Sequence, residues 1–106
     1  MDPNRPSCPR QNDEPTRYSV KCSSCPGKLQ SGQYRCTAKA WGTTASPVGS
    51  RRFEGSRTVT RQCSGAPDAV DVEVYFVDTH VRVPLDEAPA YASCSCSCVR
   101  AIAGVE

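Results

Sequence analysis

Residues 91–100 read YASCSCSCVR, with Cys94, Cys96 and Cys98 alternating with Ser95 and Ser97. On a β-strand, alternate side chains share a face. The three thiols would then line one side of a strand about 6.6 Å apart, each in reach of a different neighbour. A helix would scatter them, and a flexible loop would let them mispair. The stretch therefore predicts a strand riveted to several others, in a fold that depends on such rivets.

Working outward, the composition agrees. The chain has 106 residues, 38% of them hydrophobic, and eight cysteines. One domain is the default at this length, and its core is thin. Leu, Ile, Met and Phe are scarce, so burial alone struggles to offset the entropy of ordering the chain. An even cysteine count at this density reads as a disulfide framework in an oxidising compartment. Each bridge contributes about 2–4 kcal/mol, mainly by restricting the unfolded chain. Zinc is the competing use of clustered cysteines, but only Cys22 and Cys25 form a CxxC pair and His80 is the single histidine, which is poor for a zinc site. No metal or cofactor is expected.

Upstream of residue 91, Val70–Val77 (VDVEVYFV) alternates, with Val70, Val72, Val74 and Phe76 on one side and Asp71, Glu73 and Tyr75 on the other. That is a half-buried antiparallel strand. Gln33–Trp41 and Arg57–Cys63 also alternate, Tyr18 begins an extended run into Cys22, and His80–Pro84 reads as a further short strand. Residues 42–56 read as a polar loop centred on Arg51, Arg52 and Phe53, and 64–68 as a turn. Residues 1–16 are Pro-rich and charged, and read as an extended N-terminal arm in which Cys8 staples the arm to the body or to a second chain. Residues 17–106 form the single β domain. The expected fold is all-β, a small disulfide-rich, cystine-knot-like arrangement of long antiparallel hairpins, with little helix.

Residues 12–25 (NDEPTRYSVKCSSC) and 96–102 (CSCVRAI) resemble the opening and closing segments of the interleukin-17 family. The Cys63-Ser-Gly turn, the VDVEVY strand and the CxCxC end are similar to the Spätzle and neurotrophin ligands and to the terminal cystine-knot domains of norrin and mucin type. Cys22 and Cys25 are the natural partners for two of Cys94, Cys96 and Cys98; the resemblance implies Cys96 and Cys98, in an order left open, with Cys8, Cys36, Cys63 and the third cysteine of the cluster bracing the hairpins or joining protomers. It also implies a dimeric β-rich ligand for a cell-surface receptor ectodomain. Ser31–Ala40 (SGQYRCTAKA) looks like the Gly-x-Tyr-x-Cys strand of an immunoglobulin domain, but that strand lies late in its domain with Trp upstream, whereas Trp41 follows here.

Catalysis needs a nucleophile, a base and an orienting group within reach. A single His80 on a strand, and Asp71 with Glu73 on a solvated strand face, do not supply them, so no enzyme is expected. A net charge of +2 is too mild to call for nucleic acid. No segment is apolar enough to span a membrane, and no Asn-x-Ser/Thr sequon occurs. Met1-Asp-Pro-Asn-Arg is not a leader, so secretion requires that one was removed and Met1 added. Arg and aromatic residues concentrate where interfaces carry energy, which nominates Arg51, Arg52, Phe53, Tyr18 and Trp41 as receptor contacts. The expectation is a secreted signalling ligand, cytokine- or growth-factor-like, acting as a homodimer. The alternative is a monomeric disulfide-rich extracellular binder: an antagonist, inhibitor, toxin or matrix module.

Overall fold

The computed structural model describes residues 7–11, 16–23, 33–44, 49–62 and 67–100. These residues form strands and turns, with no helix among them. In chain order the strands are β1 (Ser7–Pro9), β2 (Arg17–Ser23), β3 (Gln33–Thr43), β4 (Arg52–Gln62), β5 (Pro67–Glu73), β6 (Tyr75–Phe76) and β7 (Tyr91–Arg100). One sheet has the order β1-β7-β3-β4-β6; the second pairs β2 with β5. Every pairing is antiparallel. The fold is thus all-β, antiparallel and disulfide-rich.

The two-stranded sheet covers one face of the larger one. Tyr18, Val20 and Cys22 from β2, and Val70 and Val72 from β5, meet Ala38, Ala40, Phe53, Ala92 and Cys94 in one buried cluster. Strand alternation explains the selection, since every second residue of a strand points inward. On β3 the inward set is Tyr34, Cys36, Ala38 and Ala40, and the outward set is Arg35, Thr37, Lys39 and Trp41. The alanines let the two layers approach closely where β2 crosses.

The Val70–Phe76 run keeps its buried face throughout but changes sheets at Val74. β5 bonds β2, whereas β6 bonds β4 through Phe53↔Phe76 and Glu54↔Tyr75. The crossing brings the Glu73 carbonyl against β4 at Gly55, where a Cβ would overlap that oxygen. Glycine is therefore required by close backbone approach rather than by a turn.

Residues 7–11 lie along the body. Ser7–Pro9 pairs with Tyr91–Ser93. Beyond it, the Arg10 amide donates to the Ala90 carbonyl, and the Gln11 amide to the Arg17 carbonyl. The Arg10 guanidinium caps the carbonyls of Leu85 and Ala88. The stretch before β7 is held over β2 by Thr16, which donates to the Val83 carbonyl, and by the Tyr18 hydroxyl, which donates to the Pro89 carbonyl at 2.8 Å.

Three local expectations need correction. Residues 52–56 belong to β4 rather than to a loop, because Phe53 and Gly55 continue the inward register of Val59. Pro67 and Asp68 open β5 rather than close a turn. His80–Pro84 is no strand: it contributes one isolated bridge, Tyr75↔Arg82. His80 itself sits in the left-handed region at φ 59°, a conformation in which His is enriched among non-glycine residues.

Candidate binding surface

Cys94, Cys96 and Cys98 share one side of β7, and each fastens a different strand. Cys94 bonds Cys8 on β1, Cys96 bonds Cys22 on β2, and Cys98 bonds Cys36 on β3. A sulfur forms one bridge, so no cysteine of this cluster remains for Cys25; Cys36 and Cys8 take the other two places. Cys25 and Cys63 lie outside the described residues. Cys36 and Cys98 are directly opposite in register, whereas Cys8 lies opposite Ala92 and reaches Cys94 two residues along the same face. Cys8 closes within the chain and does not reach a second one.

Because the bridges use one side of β7, Ser93, Ser95 and Ser97 are left on the other. Register places Ser93 beside Trp41, Ser95 beside Lys39, Ser97 beside Thr37 and Val99 beside Arg35. On the far side of β3, Trp41 faces Glu54, Lys39 faces Ser56, Thr37 faces Thr58 and Arg35 faces Thr60. The Thr37 and Thr58 hydroxyls hydrogen-bond at 3.2 Å. The result is an outer face rich in small hydroxyls, with Trp41 and two cations rising from β3. Tyr91 and Val99, at the two ends of β7, are 63% and 61% exposed.

At one end this face meets the turn after β6 and forms a groove of about 600 Å³ lined by Lys39, Trp41, Glu54, Tyr75, Val77 and His80. The turn is held closed. The Phe76 amide donates to the Val81 carbonyl and the His80 amide to the Phe76 carbonyl, both at 2.8 Å, and the Val77 amide donates to the Arg52 carbonyl at 3.0 Å. The Arg51 guanidinium lies 3.7 Å from the centroid of the Phe76 ring and donates to Asp78 Oδ1 at 3.0 Å and Thr79 Oγ1 at 3.4 Å. The Arg51 hydrogen bond holds the Asp78 carboxyl below its ordinary range. Val77 and Val81 stand exposed on either side of this turn.

The nominated contact residues separate accordingly. Tyr18 and Phe53 are interior, 0% and 1% exposed, with rings stacked 5.8 Å apart. They cannot touch a partner, because the register that continues β4 through residue 53 turns Phe53 inward. Arg51 serves as the clamp on the turn, Arg52 is exposed beside Thr43, and Trp41 alone of the aromatic nominees lies on the outer face. Lys39, Glu54, Tyr75 and Val77 were not singled out from sequence. The Ser-Cys alternation carried the available signal, since bridges on one side of a strand imply a free opposite side.

Among the described residues, the His80 imidazole has no hydrogen-bond or ion-pair partner, and no cluster of three or more His, Cys, Asp or Glu side chains could hold a metal ion. Glu73, expected on a solvated face, is held by charge: its carboxylate lies 3.4 Å from Arg17 and 3.7 Å from Arg82, and accepts from the Tyr75 hydroxyl at 2.9 Å. These contacts, the Tyr75 bond first, lower its pKa. No helix among the described residues is long and apolar enough to cross a membrane. No protein-family model, curated protein or solved structure matches the chain.

Proposed function

We propose that this protein is a secreted signalling ligand, cytokine- or growth-factor-like, that binds a cell-surface receptor as a non-covalent homodimer. The observation that carries the reading is the division of labour on β7. All three cysteines bind inward, and among the described residues Ser93, Ser95 and Ser97 on the outward side make no bridge. A sheet fixed this way presents its outer face and the 77–81 turn at little ordering cost, which favours association. The groove between Trp41, Tyr75 and Val77 is where a receptor side chain would insert. Bridge-rich chains belong to oxidising compartments, which supports secretion. Pairing two thin protomers would also cover apolar surface that one cannot.

A second reading has one observation in its favour. Cys8, the cysteine placed to join two chains, is spent within this one, so a monomeric extracellular binder is the competitor. Native mass spectrometry at micromolar concentration, with saturation binding of labelled protein to cells, separates them. A dimer with saturable binding fits the ligand. A monomer with saturable binding moves the reading to antagonist, inhibitor, toxin or matrix module, and absence of saturable binding overturns the receptor reading.

A further inference from the structure

The cations whose side chains are described fall into two sets. Arg17, Arg51, Arg61 and Arg82 form ion pairs with Glu73, Asp78 and Asp68. Arg10 and Arg57 donate to the backbone carbonyls of Leu85, Ala88 and Asp71. Lys21, Arg35, Lys39 and Arg52 have no such partner among the described residues. Lys21 projects from β2; the other three all project from the outer face of the five-stranded sheet, and all are exposed.

Their positions form a line. Arg35 and Lys39 are four residues apart on β3, and Arg52 stands beside Thr43, four residues further on. At strand rise each interval is roughly 14 Å. Glu54 is the one carboxylate at a described position on this face of β3, β4 and β7. Between the cations lie Thr37, Ser95, Ser97, Ser56, Thr58 and Thr60, short hydroxyl donors that leave the approach open. Trp41 adds one ring face in the same row of strands.

We propose that this face binds a linear sulfated polysaccharide laid along β3, its anionic groups meeting Arg35, Lys39 and Arg52 and its hydroxyls meeting the Ser and Thr rows. Charge selects the occupant. A second copy of the same face would set cation against cation. A nucleic acid would need successive aromatic platforms for its bases, and only Trp41 lies among the cations. A membrane would need apolar side chains interleaved throughout the basic ones, where this face has Trp41 and Val99 among mostly hydroxyl residues. The inference stands on the distribution of unpaired charge and does not rest on the receptor reading.

Immobilised heparin tests it with the full chain. Binding is expected to weaken steeply with salt and to be lost on chemically desulfated heparin. Arg35→Glu with Lys39→Glu should lower affinity at least tenfold, and Lys39→Glu alone should cost more than Lys21→Glu, which makes the same charge change off the face and should cost less than twofold. All three sites are exposed, and a native disulfide map confirms that each variant folds. Equal losses for Lys21→Glu and Lys39→Glu would reduce the effect to net charge and overturn the proposal, as would undiminished binding to the desulfated chain. Phosphatidylserine vesicles that compete as well as heparin, with the same dependence on Lys39, would reassign the face to a membrane. Saturable cell binding that survives enzymatic removal of surface glycosaminoglycans reports the receptor alone, so the two readings fail separately.

Discussion

The Tyr18 and Phe53 rings lie parallel, 9° apart in plane with centroids 5.8 Å apart, and join the two sheets. Phe53 also covers Gly42, directly opposite it in register. Removing a ring from such a position costs about 3–5 kcal/mol. Phe53→Ala is therefore expected to lose about that much in urea unfolding with the bridges intact, while Arg52→Ala next to it stays within about 0.5 kcal/mol of the parent. Equal effects would mean that residues 51–53 act as one exposed loop.

Burial pushes the Tyr18 hydroxyl up to about 12. The unfolded chain ionises near 10, so this contribution is complete below pH 10 and is lost as the pH rises from 10 towards 12. Denaturant midpoints measured from pH 8 to 11.5 should fall above pH 10. Tyr18→Phe should fall less steeply there, at a cost of about 1 kcal/mol at neutral pH for the hydrogen bond to Pro89. An unchanged slope in the variant would remove Tyr18 as the cause.

At the acid end the sign reverses. Glu73 and Asp78 are held below their ordinary values, Glu73 by the Tyr75 hydroxyl and by Arg82 and Arg17, and Asp78 by Arg51. Their contributions are present above the unfolded carboxylate range and vanish as the pH falls through the folded values. Glu73→Gln should flatten the loss of stability on acidification, and Arg51→Ala should move the Asp78 titration back towards its ordinary range. Carboxyl titration by NMR reads both directly.

Gly55→Ala places a methyl where the Glu73 carbonyl sits. One strand must shift, at about 1–3 kcal/mol, and the expected site of damage is the β5–β6 crossing. Hydrogen exchange should show earlier opening of Tyr75 and Phe76 than of the β3–β4 pairing. Uniform protection across both would put the crossing elsewhere.

Much of this architecture was legible because strand alternation is a strong signal wherever one face is buried. Gln33–Trp41, Val70–Phe76 and Tyr91–Arg100 each carried it. The stapling of Cys8 to the body was one of two readings that a cysteine in the arm allowed. What escaped was mostly non-local. Nothing in VDVEVYFV announces that its hydrogen-bond partner changes at Val74, because the buried face stays continuous. Phe53 read as loop because its flanks, Arg51-Arg52 and Glu54-Gly55-Ser56, carry polar and turn-forming residues, and tertiary packing overrode that composition. The pairing of Cys36 with Cys98 follows from β3 lying beside β7, a fact of sheet order that cysteine spacing does not encode. The groove beside Trp41 depends on a turn and a neighbouring sheet edge meeting in space, so Lys39, Glu54 and Tyr75 gave no sign individually.

The convergence of three bridges on residues 94–98 also sets an order of events during synthesis. Cys8, Cys22 and Cys36 leave the ribosome long before their partners, which follow 86, 74 and 62 residues later. Until the last strand is made, any bond among those three early thiols is a wrong one. Correct pairing is then a late choice among thiols two residues apart, and any bond formed earlier among the first three must be exchanged before the native set can close.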